Sequence, residues 1–217
     1  MTTDKATSGT FMDAIYIPQD DPRYPASLKT CLNGRAPASL TAIGDLDLLR
    51  RRTLGLFCSM KCPGGLILRA HDLAQDLRRP DLTVLSGFHT PVEREMLETF
   101  LRGRQPVIVC PARSVEGMRI RKEYLEPLRE NRLLLLSPFP EKRRRIDASA
   151  SIVRNRVVAA LADAVLVVHA EPGGKAEQVC REALAWRKPL YALEDDANAH
   201  LIALGAKPID CGDVNAL

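Results

Sequence analysis

The stretch Ile152-Val153-Arg154-Asn155-Arg156-Val157-Val158-Ala159-Ala160-Leu161-Ala162-Asp163-Ala164-Val165-Leu166-Val167-Val168-His169 changes its period halfway along. In the first part Ile152, Val153, Val157, Ala160 and Leu161 recur at helical spacing. From Ala164 to His169 the chain is apolar without alternation, which is how a strand covered on both faces reads. The same pairing repeats outward in both directions. Strand-like runs occur at Leu54–Cys58, Leu82–Ser86, Pro106–Cys110, Leu133–Ser137 and Pro189–Leu193. Helical stripes lie between them: Leu66, Ala70, Leu73, Ala74 and Leu77; Val92, Met96, Leu97 and Phe100; Val179, Ala183, Leu184 and Trp186. Strand–helix repetition predicts a doubly wound, mostly parallel sheet, a Rossmann-like three-layer α/β/α fold, because right-handed crossovers place helices on both faces. We assign that domain to residues 50–217. Residues 18–49 read as a proline-punctuated extension packed on it, with a short strand at Leu40–Ile43 before Gly44, and residues 1–17 as a disordered terminus.

Composition narrows the function. The 217 residues carry 31 Lys and Arg against 27 Asp and Glu, a formal charge of +4, with 46% hydrophobic residues, so the chain can build a full core. No apolar run approaches the roughly 18 residues of a membrane-spanning helix. The polar start Met1–Thr10 lacks the apolar segment of a secretory signal, so a cytoplasmic location is expected, with no membrane partner. The cytosol keeps thiols reduced, and the six cysteines read as free thiols. Cys58 and Cys62 form the one close pair, without the second knuckle of a zinc site, so no metal is expected. No cofactor is expected either.

In open parallel sheets the ligand crevice lies outside the carboxyl ends of the strands. The loops at those ends are Ser59–Gly65, Ser86–Thr90, Pro111–Ser114 and Glu171–Lys175. Several hold glycines just before a helix, where free backbone N–H groups favour an anion such as phosphate. Neither a dinucleotide fingerprint nor a Walker loop occurs. His89 and His169 stand beside these loops, within reach of a ligand.

The run Arg154–Val168 is similar to the "RNR-iiagLs-davlVvea" stretch of the DNA-processing protein A (Smf) family, a Rossmann-like family within the same broad superfamily as the LOG-type nucleotide hydrolases. Other matches follow in order. Asp21–Leu28 resembles the family's YP-x-x-L entry segment, Ser86-Gly87 its SG turn, Ser137-Pro138 its SE-x-P, and Leu201-Ile202 with Gly205-Ala206 its ending. There are departures. The family's GSR is Cys58-Ser59-Met60-Lys61 here, with Lys61 in place of the arginine. Its SG-x-A-x-GID survives only as Ser86-Gly87-Phe88-His89-Thr90, and its second anion loop is replaced by Pro172-Gly173-Gly174-Lys175.

The resemblance implies non-specific binding of single-stranded DNA, without catalysis, in recombination or DNA uptake, with a recombinase as partner and a homodimer as a further expectation. The residues expected at phosphate or nucleic acid are Lys61, Ser86, Gly87, Lys142, Arg143, Arg144, Arg145, Arg154, Asn155, Arg156, Gly173, Gly174 and Lys175. A cationic groove with stacking faces is what strand binding needs. The competing expectation is enzymatic. Pro172-Gly173-Gly174-x-x-Glu177 resembles a truncated form of the glycine loop of LOG-type phosphoribohydrolases, with Glu177 and Arg154 as catalytic candidates, or else a sensor of a nucleotide-derived ligand. Glu177 has a second explanation, since acids favour helix N-termini.

Overall fold

The computed structural model describes residues 12–139 and 147–214. In these residues nine strands form one sheet in the order β1-β2-β6-β5-β4-β3-β7-β8-β9. The strands are β1 (Ile15–Pro18), β2 (Ser39–Gly44), β3 (Thr53–Cys58), β4 (Thr83–Ser86), β5 (Val107–Val109), β6 (Leu133–Ser137), β7 (Ala164–His169), β8 (Leu190–Leu193) and β9 (Lys207–Ile209). From β6 to β9 every neighbour is parallel, while β2 pairs antiparallel with both β6 and β1. The Rossmann-like α/β reading therefore holds, and the runs chosen by their lack of alternation are the central strands.

Both faces of these strands are filled, which is why they lack alternation. Leu54 and Leu56 of β3, with Leu166 and Val168 of β7, face one core, and Phe57, Val165 and Val167 face the other. The first core is covered by α2 (Gly64–Asp76), α3 (Pro91–Arg102) and α4 (Lys122–Arg129). The second is covered by α1 (Ala26–Leu32), α5 (Ala148–Leu161), α6 (Lys175–Ala185) and α7 (Ala199–Leu204). Helix α5 lies between α1 and α6 on the sheet, so its second half, Val157–Leu161, is apolar and buried all round. Its first turn is capped by the Asp147 carboxylate, which accepts the Ala150 N–H at 2.7 Å. Asp147→Ala should cost about 1 kcal/mol in urea unfolding; an unchanged midpoint would show that the cap is redundant.

The N-terminal segment departs from its expected form. A disordered stretch reaching residue 17 is corrected at Ile15–Pro18, which forms β1, with Ile17 fully buried. The extension likewise does more than pack on the core, because β1 and β2 lengthen the sheet beyond β6. Strand β9 extends the other end. No helix among the described residues is long and apolar enough to cross a membrane.

Candidate functional site

The chain leaves β3 through β4, β5 and β6 in one direction and returns to β7 on the other side of β3, so the order reverses between β3 and β7. The register also slips there, between Phe57 and Cys58, and Cys58 stands opposite His169. Several cavities open at this carboxyl edge, among them one of ≈ 220 Å³ on the loop after β5, lined by Arg113, Glu116, Met118 and Arg119. One of ≈ 390 Å³ lies over β4–β6, and one of ≈ 250 Å³ lies over the reversal point and the start of α6. His89 and Ser151 line both.

Arg154 is the largest fully buried side chain among the described residues. Its Nε donates to Asn155 Oδ1 at 2.8 Å, its Nη1 to the Cys110 carbonyl at 3.1 Å, and its Nη2 lies 2.9 Å from His89 Nδ1. Burial holds the guanidinium below its ordinary pKa, but an arginine stays charged there. It passes directly under Gly87, where an added Cβ would sit 1.3 Å from Nη1, so glycine is required for contact and not for conformational freedom. Ser86, fully buried at the end of β4, accepts the Phe88 N–H through its hydroxyl at 3.2 Å and closes the same turn.

A buried carboxylate supports this floor. Glu93, 2% exposed, accepts the N–H groups of Cys58 at 3.0 Å, His89 at 2.9 Å and Thr90 at 3.4 Å. Its Oε2 also lies 3.3 Å from His89 Nδ1. Burial, the largest influence, pushes the Glu93 carboxyl up. The backbone N–H of His89 and the Arg154 charge outweigh that and hold it below the usual carboxylate value. Glu93 thereby ties the end of β3 to the start of α3.

The remaining candidates divide. Lys61 is exposed on the loop after β3, and Lys175, also exposed, opens α6 and lines the ≈ 250 Å³ cavity. Asn155 borders that cavity, and Gly174 caps α6 without a side chain. Gly173, at φ +71°, donates its N–H to Glu177 Oε2 at 2.8 Å. Arg181 donates to the other Glu177 oxygen at 2.6 Å, so that carboxylate closes its own helix start. The Gly173 N–H and then Arg181 hold it below its ordinary value. Arg156 turns away from the edge and bonds Glu182 on α6 at 2.8 and 3.0 Å. His169 is buried against Asn198 Oδ1 at 3.1 Å. Lys142, Arg143, Arg144 and Arg145 lie outside the described residues. No group of three or more metal-ligating side chains occurs among the described residues.

Sequence reading missed the cations of the ≈ 390 Å³ cavity. Arg94, Arg113, Arg119 and Arg121 line it with Arg154, and no acidic residue does. Three of them fall within the segment 113–121, a basic density that could have flagged the loop. Neither Arg113 nor Arg119 has a side-chain hydrogen bond or ion pair among the described residues. Unpaired like charges around a cavity raise the local potential for an anion.

Fold and site together define a doubly wound α/β protein with a cationic crevice at its strand ends. The chain belongs to the DNA recombination-mediator protein A family, whose model matches residues 15–214. DNA processing protein A from Streptococcus pneumoniae is similar over 95% of this chain and 75% of its own, with a TM-score of 0.78 at 22% identity. The Helicobacter pylori protein of that name, whose structure addresses its single-stranded DNA binding mode, matches with a TM-score of 0.73 at 20% identity, over 90% of each chain. The molybdenum cofactor carrier protein of Chlamydomonas reinhardtii shares the fold more loosely, with a TM-score of 0.52 at 14% identity over 76% of this chain and 95% of its own. No curated protein sequence matches the chain.

Proposed function

We propose that this protein binds single-stranded DNA without sequence preference along the carboxyl edge of its sheet, as a non-catalytic DNA-processing protein of recombination or DNA uptake. The observation that carries this reading is the arginine-lined, acid-free cavity, with Arg113 and Arg119 lacking side-chain partners among the described residues. Family membership and the DNA-binding Helicobacter pylori relative support it. The basic run Lys142–Arg145 adds charge in the connection between β6 and α5. Lys61 and Lys175 extend the cationic edge past the reversal point. A recombinase is the expected partner, a homodimer the expected assembly, and the cytoplasm the expected compartment.

The hydrolase reading has weaker support. It needs Glu177 and Arg154 free at a ribose, whereas Glu177 bonds its own loop and Arg154 is buried under Gly87. Incubation with nucleoside monophosphates should release no free base. Release abolished by Glu177→Ala would reverse the order of the two readings.

Fluorescence anisotropy with a labelled oligothymidylate tests the binding. The logarithm of the association constant should fall linearly with the logarithm of salt concentration, by about 0.7 per phosphate contact. Arg113→Ala with Arg119→Ala should flatten that slope by about 1.4, and neutralising Lys142–Arg145 should flatten it further. Absence of binding at low salt defeats the proposal.

A further inference from the structure

Two of the six cysteines stand where β3 runs into the loop before α2. Cys58 ends β3, buried, and donates its backbone N–H to Glu93 Oε1 at 3.0 Å. Cys62, half-buried and two residues ahead of α2, packs against the same core as Cys58. The two sulfurs are in hydrogen-bond contact, with the Cys58 S–H donating to Cys62. That contact is the largest influence on Cys62 and holds its thiol below the ordinary value, against burial and the Asp195 charge. The same contact pushes the Cys58 thiol up, as do burial and the charges of Cys62 and Glu93. The pair is thus unequal: the accessible sulfur carries the negative charge and the buried one keeps the proton. Other cysteines differ. Burial pushes the Cys110 and Cys180 thiols up to about 12, and the Cys211 thiol, also raised by burial, rests on the Arg69 carbonyl at 3.3 Å. A thiolate, not a thiol, is the nucleophile.

We infer that Cys58 and Cys62 form a redox site that a hydroperoxide closes to a disulfide. The Cys62 thiolate attacks the peroxide. An S–O bond forms, the O–O bond breaks, and the departing hydroxide becomes water with a proton from solvent. Cys62 is then a sulfenic acid. The Cys58 sulfur attacks it in turn; the S–S bond forms, the S–O bond breaks, and the leaving hydroxide takes the Cys58 proton as a second water. The two sulfurs give up two electrons, and the peroxide is the oxidant reduced. A partner thiol already in contact diverts the sulfenic acid before further oxidation, and the sulfurs need only close to about 2.05 Å. The bond would join the lining of the ≈ 250 Å³ cavity, to which Cys58 belongs, to the approach of α2, with Lys61 inside the closed ring. This chemistry is independent of the DNA-binding reading.

The test treats the reduced full chain with hydrogen peroxide, caps free thiols with N-ethylmaleimide in denaturant and digests with trypsin without reduction. Cleavage after Lys61 separates the two cysteines, so Thr53–Lys61 and Cys62–Arg69 should be recovered joined, and dithiothreitol should release them. In the untreated native protein Cys62 should react with N-ethylmaleimide several-fold faster than Cys31 and Cys211, which are also half-buried. In Cys58→Ala the peroxide should leave a sulfenic acid at Cys62 that dimedone traps. Should that variant fail to fold, the wild-type peptide map decides alone. Both peptides recovered separately and capped after peroxide, Cys62 joined to a different cysteine, or equal alkylation rates at the three thiols would overturn the site.

Discussion

Gly87→Ala should destabilise the protein by about 3 kcal/mol, the upper end for forcing one carbon into filled space. The new Cβ would lie 1.3 Å from Arg154 Nη1 and 1.9 Å from its Cζ, closer than any nonbonded contact. The guanidinium would have to leave, and with it the bonds to the Cys110 carbonyl and to His89. A buried charge cannot move cheaply, because it leaves these partners unsatisfied behind it. The argument makes a second, sharper statement about coupling. In an Arg154→Ala background the space above the helix is empty, so Gly87→Ala should cost under about 1 kcal/mol there, and the two changes should be strongly non-additive. Urea unfolding of the four proteins measures this. Equal costs of Gly87→Ala in both backgrounds would sink the idea that the glycine exists for the arginine.

The second large effect concerns Glu93. Glu93→Gln preserves shape, removes the charge and turns an amide toward N–H donors, and loss of a buried, paired charge costs about 3–5 kcal/mol. The pH dependence follows from the direction of its shift. The folded carboxyl lies below its unfolded value of about 4.3. Its stabilisation is therefore complete above that unfolded value and disappears as pH falls through the lower folded one. Wild type should exceed Glu93→Gln by its full margin at pH 7, and the margin should shrink as pH falls below about 4.3, by up to about 1.4 kcal/mol per pH unit. A margin that stays constant from pH 7 to pH 3 would mean that the carboxylate charge is not what holds Cys58, His89 and Thr90 together.

The strands legible in the sequence were those with both faces buried, because an unbroken apolar run carries its own meaning. Strands β1 and β9, of four and three residues, are too short to show any period. Helix α4 buries only Tyr124, Pro127 and Leu128 and leaves little stripe to read. At the strand ends the glycine loops lie where the cavities open, but charge was harder to assign. Arg154 and Arg156 looked like one patch from the sequence. Residues two apart on a helix point to nearly opposite sides, and the structure separates them into a buried pin and a partner of Glu182. Arg94, Arg113, Arg119 and Arg121 belong to one helix and one aperiodic connection. They meet only because β4, β5 and β6 are neighbours, a fact of sheet order that no local pattern encodes.

Arg154 also has a bearing on when the crevice comes into being. Its bonds to the Cys110 carbonyl and to His89 span 44 and 65 residues of chain. Neither can form until β4 and β5 are paired and α5 has crossed back over the sheet. Contacts of such separation close late, after local helices and adjacent strands have formed. The floor of the crevice is thus completed only after those two events, together with still longer contacts such as Thr53 with Asp163, 110 residues apart. A chain stalled halfway would carry much of its local secondary structure without that floor.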